Sequence, residues 1–505
     1  MSTPASSNSR GLIRSMLVIG SSQVVKIFIS IVKMKVLALL LGPAGVGLLG
    51  IYNNLQQMVG NAAGLGMGSS GVRQIASARG DGKALHRVSR VLLVAHLVQG
   101  VVAMTAVWLF RHPLAVWLTG DGTISTEIGL VGVAILLMLL ATAHTALLQG
   151  LRRIGDLGRV TVIGALAGTL IGLLAVWQFG QAGLIWFLLV QPLANLLTAR
   201  FFIRRLPGRN DHKAPGLVEI WTTWKPMARL GGVFMLGGLA TTTTLLLVRS
   251  VVTRELGLDA VGHFAAAWGI TMTYVGFLLA AMGADYFPRL TEVIHDRQAA
   301  NRLMNDQAQL GLAIGGPVLL LLIGLAPWVI TLLYSQEFGP AAELLQWQTV
   351  GNVFKLASWP MSFAIVAGAH AKTYFFMELS FNLVFLILIW LLLPVVGLEI
   401  TGIAFLLGYM TYFATVYLLV RQLRGFRWQS LSLKLFMLHV LLAVSTLVLA
   451  IVAPFAAVFV SPLTAAVTGL LGVRIVLQKI GPEGRIAGKG FQAYAKLGWP
   501  IRSEK

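Results

Sequence analysis

The 505 residues include no cysteine, which excludes disulfides, thiolate metal sites and a cysteine nucleophile. Charge is scarce: 11% of the residues are Asp, Glu, Lys or Arg, against about 25% in an average soluble domain. Acidic side chains are the scarcer sign, 18 against 39 Lys and Arg. No GxxxxGK[ST] stretch occurs, so intrinsic ATP drive has no support. The nine His show no HExxH pairing, so no metal site is evident and no cofactor is expected. Gly66-Met67-Gly68-Ser69-Ser70-Gly71 spells a dinucleotide fingerprint but follows a membrane-type helix rather than a strand, which removes that reading.

What is abundant is apolar: 57% of the chain is hydrophobic. A membrane span needs roughly 20 mostly apolar residues, and about fourteen such runs lie between residues 14 and 477. The last two are separated only by Ala453-Pro454, so twelve or thirteen spans stay open. The expected fold is an all-α polytopic membrane protein. The first run, from about Met16 to Leu41, follows Arg10 and Arg14 but exceeds the usual 7–15-residue core of a secretory signal, so it is read as a retained helix.

The net charge of +21 invites a nucleic-acid reading, and its distribution argues against one. With the N-terminus inside, most Lys and Arg fall in loops, tails and helix ends on the cytoplasmic side. Arg111, Arg249 (at a helix end) and Arg254 fall outside, while Lys26, Lys33, Lys35 and Lys355 lie within spans. This positive-inside bias places both termini in the cytoplasm. The basic tail 479–505 can also rest on anionic membrane lipid.

The chain repeats. Leu41-Gly42-Pro43-Ala44-Gly45-Val46-Gly47 and Leu256-Gly257-Leu258-Asp259-Ala260-Val261-Gly262 align at an offset of 215 residues. Six runs per half make the repeats parallel, related by an axis along the membrane normal. The expected organisation is a six-helix bundle at 1–203, a cytoplasmic linker at 204–227 and a second six-helix bundle at 228–421. An extra helix pair at 422–478 and the basic tail 479–505 follow.

An ion facing lipid at mid-bilayer costs about 2.5–3.5 kcal/mol, so Lys26, Lys33, Lys35 and Arg249 are expected to line a wet, electropositive cavity that admits something anionic. Lys26 and Lys33, seven apart, share a helix face; Lys35 lies on the opposite face of a straight helix. Gln348, Asn352 and Lys355 form a stripe at i, i+4 and i+7 that faces the lumen or a neighbouring helix. Glu378 can pair with Lys355 or carry a coupling proton, and Arg73 can meet a headgroup at the cytoplasmic mouth.

In order along the chain, VVKIFISIVKMKVLALLLGPAGVG (24–47), LVRSVV with LGLDAVGHFAAAWGI (247–270), YFPRLTEV (286–293), LLQWQTVGNVFK (344–355), AKTYFFMEL (371–379) and GYMTYFATVYLL (408–419) carry a family likeness. The chain resembles Wzx-type polysaccharide flippases, among them the O-antigen and lipid III translocases, of the multidrug/oligosaccharidyl-lipid/polysaccharide (MOP) superfamily. Lys26, Lys35, Arg249, Asp259, Lys355 and Glu378 fall on matching polar positions. Lys33 is an addition, and Asn352 stands where an acidic residue is familiar. The extra helix pair resembles the fourteen-helix lipid II flippase branch.

The likeness implies export of an undecaprenyl-diphosphate-linked oligosaccharide across a bacterial inner membrane, with no enzymatic chemistry. It brings a polysaccharide polymerase and a chain-length regulator into view as partners. A multidrug or organic-cation exporter of the same superfamily is the alternative, disfavoured because helices one and seven offer Lys and Arg where that cargo wants carboxylates. A membrane glycosyltransferase or polymerase stands further off, because the outer loops are short.

Overall fold

A computed structural model describes residues 5–205, 216–368, 371–483 and 485–501, with side chains from Ser21 onward. Helices account for nearly all of it, and no strand occurs among the described residues. In chain order they are α1 (Ala5–Gly64), α2 (Met67–Ser77), α3 (Gly82–Leu109), α4 (Arg111–Thr119), α5 (Ser125–Gly150), α6 (Ile154–Phe179), α7 (Ile185–Arg204), α8 (Leu217–Val293), α9 (Arg297–Leu333), α10 (Pro340–Ala367), α11 (Ala371–Val396), α12 (Ile400–Arg424), α13 (Ser430–Val452), α14 (Pro454–Ile480) and α15 (Arg485–Lys496).

Nine stretches among the described residues are long and apolar enough to cross a membrane. Their outer faces are apolar: Val395, Trp177, Phe455 and Leu332 are all largely exposed. A soluble protein rarely carries so much contiguous apolar surface, whereas lipid covers it without penalty.

Helices α1 and α8 each contain one non-helical residue, Gly42 (φ 62°, ψ −162°) and Gly257 (φ 86°, ψ 176°). These two glycines are the repeat-equivalent pair, 215 residues apart. That corner of φ/ψ space is closed to side-chain-bearing residues, so each glycine kinks a long helix at the repeat-equivalent position. Pro43 then supplies the first turn of the helix that follows, a position where its missing N–H is not needed. Gly42→Ala or Gly257→Ala is expected to cost about 1–3 kcal/mol of backbone strain, read as a lower unfolding temperature in detergent.

The two turns also pack on each other. A Cβ at Gly47 would stand 2.5 Å from the Leu258 carbonyl oxygen, and one at Gly262 would stand 1.9 Å from that of Pro43. Residues 258 and 262 are the repeat equivalents of 43 and 47, so the contact is reciprocal.

Packing groups the chain into two compact units, Met1–Gly262 with Leu333–Ser335, and His263–Leu332 with Gln336–Lys505. In the first, Met67, Ile75, Leu92, Ala143, Ala146 and Met227 form a buried cluster with Trp224 against it. The stretch 204–227, expected to be linker, is thus helical from Leu217 onward. Its apolar face docks on α2, α3 and α5, the Ser70 hydroxyl donates to the Met227 carbonyl (2.9 Å), and Arg87 pairs with Glu219. Leu65 and Gly66, both at positive φ, break the helix before α2, and Gly66 meets Gly231 backbone to backbone.

In the second unit, α13 and α14 pack on α9. Gly324 admits Ser461, whose hydroxyl donates to the Leu320 carbonyl (2.8 Å), and Gly472 lies against the Ala313 backbone. Outside the spans, Asp81 caps α3 by accepting from the amides of Lys83 and Ala84 (2.9 and 3.0 Å). The Ala84 amide first, then that of Lys83, holds its carboxyl below the ordinary range. The cap is therefore fully formed above about pH 4, the unfolded value, and is lost as pH falls through the depressed native value.

Candidate functional site

The polar side chains singled out by the sequence fall into two groups, one in each unit. In the first unit the cations come from α1 and α8. Lys26 is exposed, while Lys33 and Lys35 are partly buried. Lys33 holds its ammonium 5.5 Å from the centre of the Phe187 ring on α7. A ring face attracts a cation without neutralising it. Lys26 and Lys33 are close enough for their charges to repel, as their shared helix face requires, and neither has a carboxylate in an ion pair among the described residues. Arg249, on α8, is only 6% exposed. Its neighbour Ser250 ties α8 to α4 by donating to the Trp117 carbonyl (2.7 Å). Arg73 is on the exposed face of α2, beyond the Leu65–Gly66 break.

In the second unit the stripe on α10 is present and mostly dry. Gln348 and Asn352 are both 0% exposed. The Thr271 hydroxyl on α8 donates to Gln348 Oε1 (2.9 Å), so part of the stripe is a helix–helix seam. Gln348 Nε2 and both polar atoms of Asn352 have no hydrogen-bond partner among the described residues. A buried amide left in that state is disfavoured by about 1–3 kcal/mol. Asn352→Leu, close in shape and free of polar atoms, is therefore expected to raise the unfolding temperature or leave it unchanged. A clear drop would show that the amide has a partner in the membrane.

One and two turns further on, α10 and its neighbours enclose a charged pair at longer range. Lys355 is partly buried, with its ammonium 5.0 Å from the centre of the Tyr409 ring on α12 and 3.6 Å from the Met272 sulfur on α8. Glu378, on α11, accepts from the Tyr412 hydroxyl (2.9 Å), and the Tyr374 hydroxyl faces it from one turn earlier. Lys355 and Glu378 attract each other but form no direct ion pair among the described residues. The carboxylate is thus held by phenols rather than by the ammonium.

Sequence reasoning named Lys355 and Glu378 but not their cage. Tyr409 and Tyr412 lie three apart in GYMTYF, a spacing that puts both on one face of α12. Nothing in that spacing says that α11 and α10 pack there. Phe187, likewise, reads as one more apolar residue of α7 until the fold brings it to Lys33.

The model of a family described as polysaccharide biosynthesis protein matches residues 12–294, more than half of the chain. The lipid III flippase of Escherichia coli (strain K12) is 24% identical over 402 residues, covering 78% of this chain and 94% of that protein. Among solved structures, the lipid II flippase MurJ in an inward closed conformation superposes with a TM-score of 0.69 at 14% identity, covering 92% of this chain and 99% of that one. An inward-facing multidrug resistance MATE family transporter of the MOP superfamily gives a TM-score of 0.68 at 17% identity, covering 79% and 94%. The all-helical fold with its internal repeat is the fold of these transporters.

Proposed function

The chain belongs to the polysaccharide biosynthesis protein family, and from that premise we propose that it is a flippase of the MOP superfamily for a polyprenyl-diphosphate-linked oligosaccharide. The observation that carries the reading is the Lys26–Lys33 pair: two cations on one face of a membrane helix, mutually repelling and with no carboxylate in an ion pair among the described residues. Such a pair is expensive in lipid and becomes favourable only when an anion arrives. A diphosphate is that anion. Its charge would be met in the first unit by Lys26, Lys33, Lys35 and Arg249 from α1 and α8, with Arg73 at the mouth, and Lys355 from α10 is the substrate-binding cation proposed for the second unit. Gln348, Asn352 and Glu378 would supply the polar surroundings or carry a coupling ion. The lipid III flippase supports the substrate class, and the parallel repeat supports alternating access by rocking.

The finer reading is export of an undecaprenyl-diphosphate repeat unit, for O-antigen or another surface polysaccharide, from the cytoplasmic to the periplasmic leaflet of a bacterial inner membrane. Both termini would be cytoplasmic, as the basic residues require. The organisation would be two six-helix bundles, 1–203 and 228–421, with the extra pair 422–478. A polymerase and a chain-length regulator would receive the product. With the inside negative, each exported charge gains about 2.3 kcal/mol per 100 mV, and a dianion roughly twice that, so membrane potential alone can set the direction.

The test is translocation of a fluorescent polyprenyl-diphosphate oligosaccharide in proteoliposomes with an imposed inside-negative potential. Outward movement that grows with the potential is expected. Movement of cationic dyes in place of the lipid-linked sugar would transfer the reading to a multidrug exporter.

A further inference from the structure

We propose that residues 485–501 form an interfacial anchor that binds the anionic glycerophospholipid surface beside α14. The apolar run of α14 from Phe455 to Val473 is long enough to cross the hydrocarbon, and Arg474 ends it. Arg474 therefore marks the boundary between acyl chains and headgroups.

The tail folds back to that level. The Arg474 guanidinium lies 4.3 Å from the centre of the Trp499 ring and donates to the Pro500 carbonyl (3.3 Å). The Tyr494 hydroxyl donates to the Leu470 carbonyl. Gly490 meets the Leu477 side chain at a distance that leaves no room for a Cβ. Helix α15 thus packs along the end of α14 by its buried face.

The opposite face has the chemistry of a headgroup layer. Lys489 and Lys496, seven apart and so on one face, are both exposed. Leu497 is 69% exposed and Trp499 40% exposed, at the level where aromatic rings favour the membrane–water boundary. From Arg474 to Ile501 there are five basic residues and one acidic residue, Glu483. Lys479 is taken up by Asp306 at 2.6 Å, whereas Lys489 and Lys496 have no acidic partner among the described residues. Exposed apolar side chains beside unpaired lysines, at headgroup depth, fit an anionic lipid surface and would be poorly placed against neutral lipid.

The absence of cysteine makes the test direct. Leu497→Cys in the full chain carries a spin label, and its accessibility to oxygen and to a water-soluble nickel chelate is compared in two kinds of nanodisc. One is pure phosphatidylcholine; the other contains one quarter phosphatidylglycerol. The label is expected at the headgroup–acyl boundary with phosphatidylglycerol and to shift toward water without it. Adding Lys489→Gln/Lys496→Gln should lower the ratio of membrane-bound to water-exposed label by about thirtyfold while leaving the thermal unfolding of the spans unchanged. Equal aqueous exposure in both lipids would overturn the proposal and point to a protein partner for this face. Equal burial in both, insensitive to the lysine changes, would overturn its dependence on lipid charge.

Discussion

In proteoliposomes held inside-negative, Lys26→Gln/Arg249→Gln is expected to move the lipid-linked oligosaccharide at least tenfold more slowly than the unaltered protein. The magnitude follows from the barrier. Two unit charges about 4 Å apart interact by about 4 kcal/mol at an effective dielectric of 20, and part of that is lost to screening in a wet lumen. Retaining even half of it for one of the two contacts, about 2 kcal/mol, exceeds the roughly 1.4 kcal/mol that makes a tenfold change in rate. Stability should move the other way or not at all, because two cations have been removed from a membrane interior that disfavours them. A slower rate in a protein that unfolds at the same or a higher temperature separates loss of substrate charge compensation from loss of fold. An unchanged rate in well-folded protein would sink the cationic-lumen mechanism while leaving the family assignment untouched.

Gly262→Ala is expected to destabilise the first unit strongly. A Cβ there would fall 1.9 Å from the Pro43 carbonyl oxygen, where the obstacle is backbone and cannot rotate away. The turns must separate by more than an ångström, and overpacking of that kind costs about 1–3 kcal/mol. Gly47→Ala, aimed at Leu258 O from 2.5 Å, should be milder in the same direction. Because both substitutions force apart the same reciprocal contact, the double variant should fall short of the sum of the singles. Thermal unfolding of the three variants measures this. Full additivity would mean that the two turns respond independently and that the reciprocal packing does not hold them.

The repeat was legible in the sequence because its signature is local. Gly42 and Gly257 recur at a fixed offset inside seven-residue segments that share Leu, Gly, Val and Gly, and the structure gives both a positive φ that glycine tolerates. The apolar runs were legible for the same reason, since a helix that crosses lipid must satisfy its backbone within itself. The stretch 217–227 was not: Glu219, Trp221, Trp224 and Lys225 read as loop composition. Only its contact with Met67, Ile75 and Leu92 explains why Trp224 and Met227 turn inward. The polar groups divide in the same way. Lys33, Lys355 and Glu378 stand out as charges in apolar runs, but Phe187, Tyr409 and Tyr412 are brought to them by helix packing. Gln348 and Asn352 announced a polar stripe, and its spacing allowed either a lumen or a seam; the Thr271–Gln348 bond places part of it in a seam.

The docking of residues 217–231 changes what covalent continuity is needed for. Ser70 holds the Met227 carbonyl, Gly66 and Gly231 touch through their backbones, and Arg87 pairs with Glu219. The start of α8 is thus fastened to α2 and α3 independently of the peptide that joins it to α7. Two polypeptides divided between Arg205 and Gly216 would therefore each retain the surfaces that recognise the other, so the protein could be assembled from separately encoded halves.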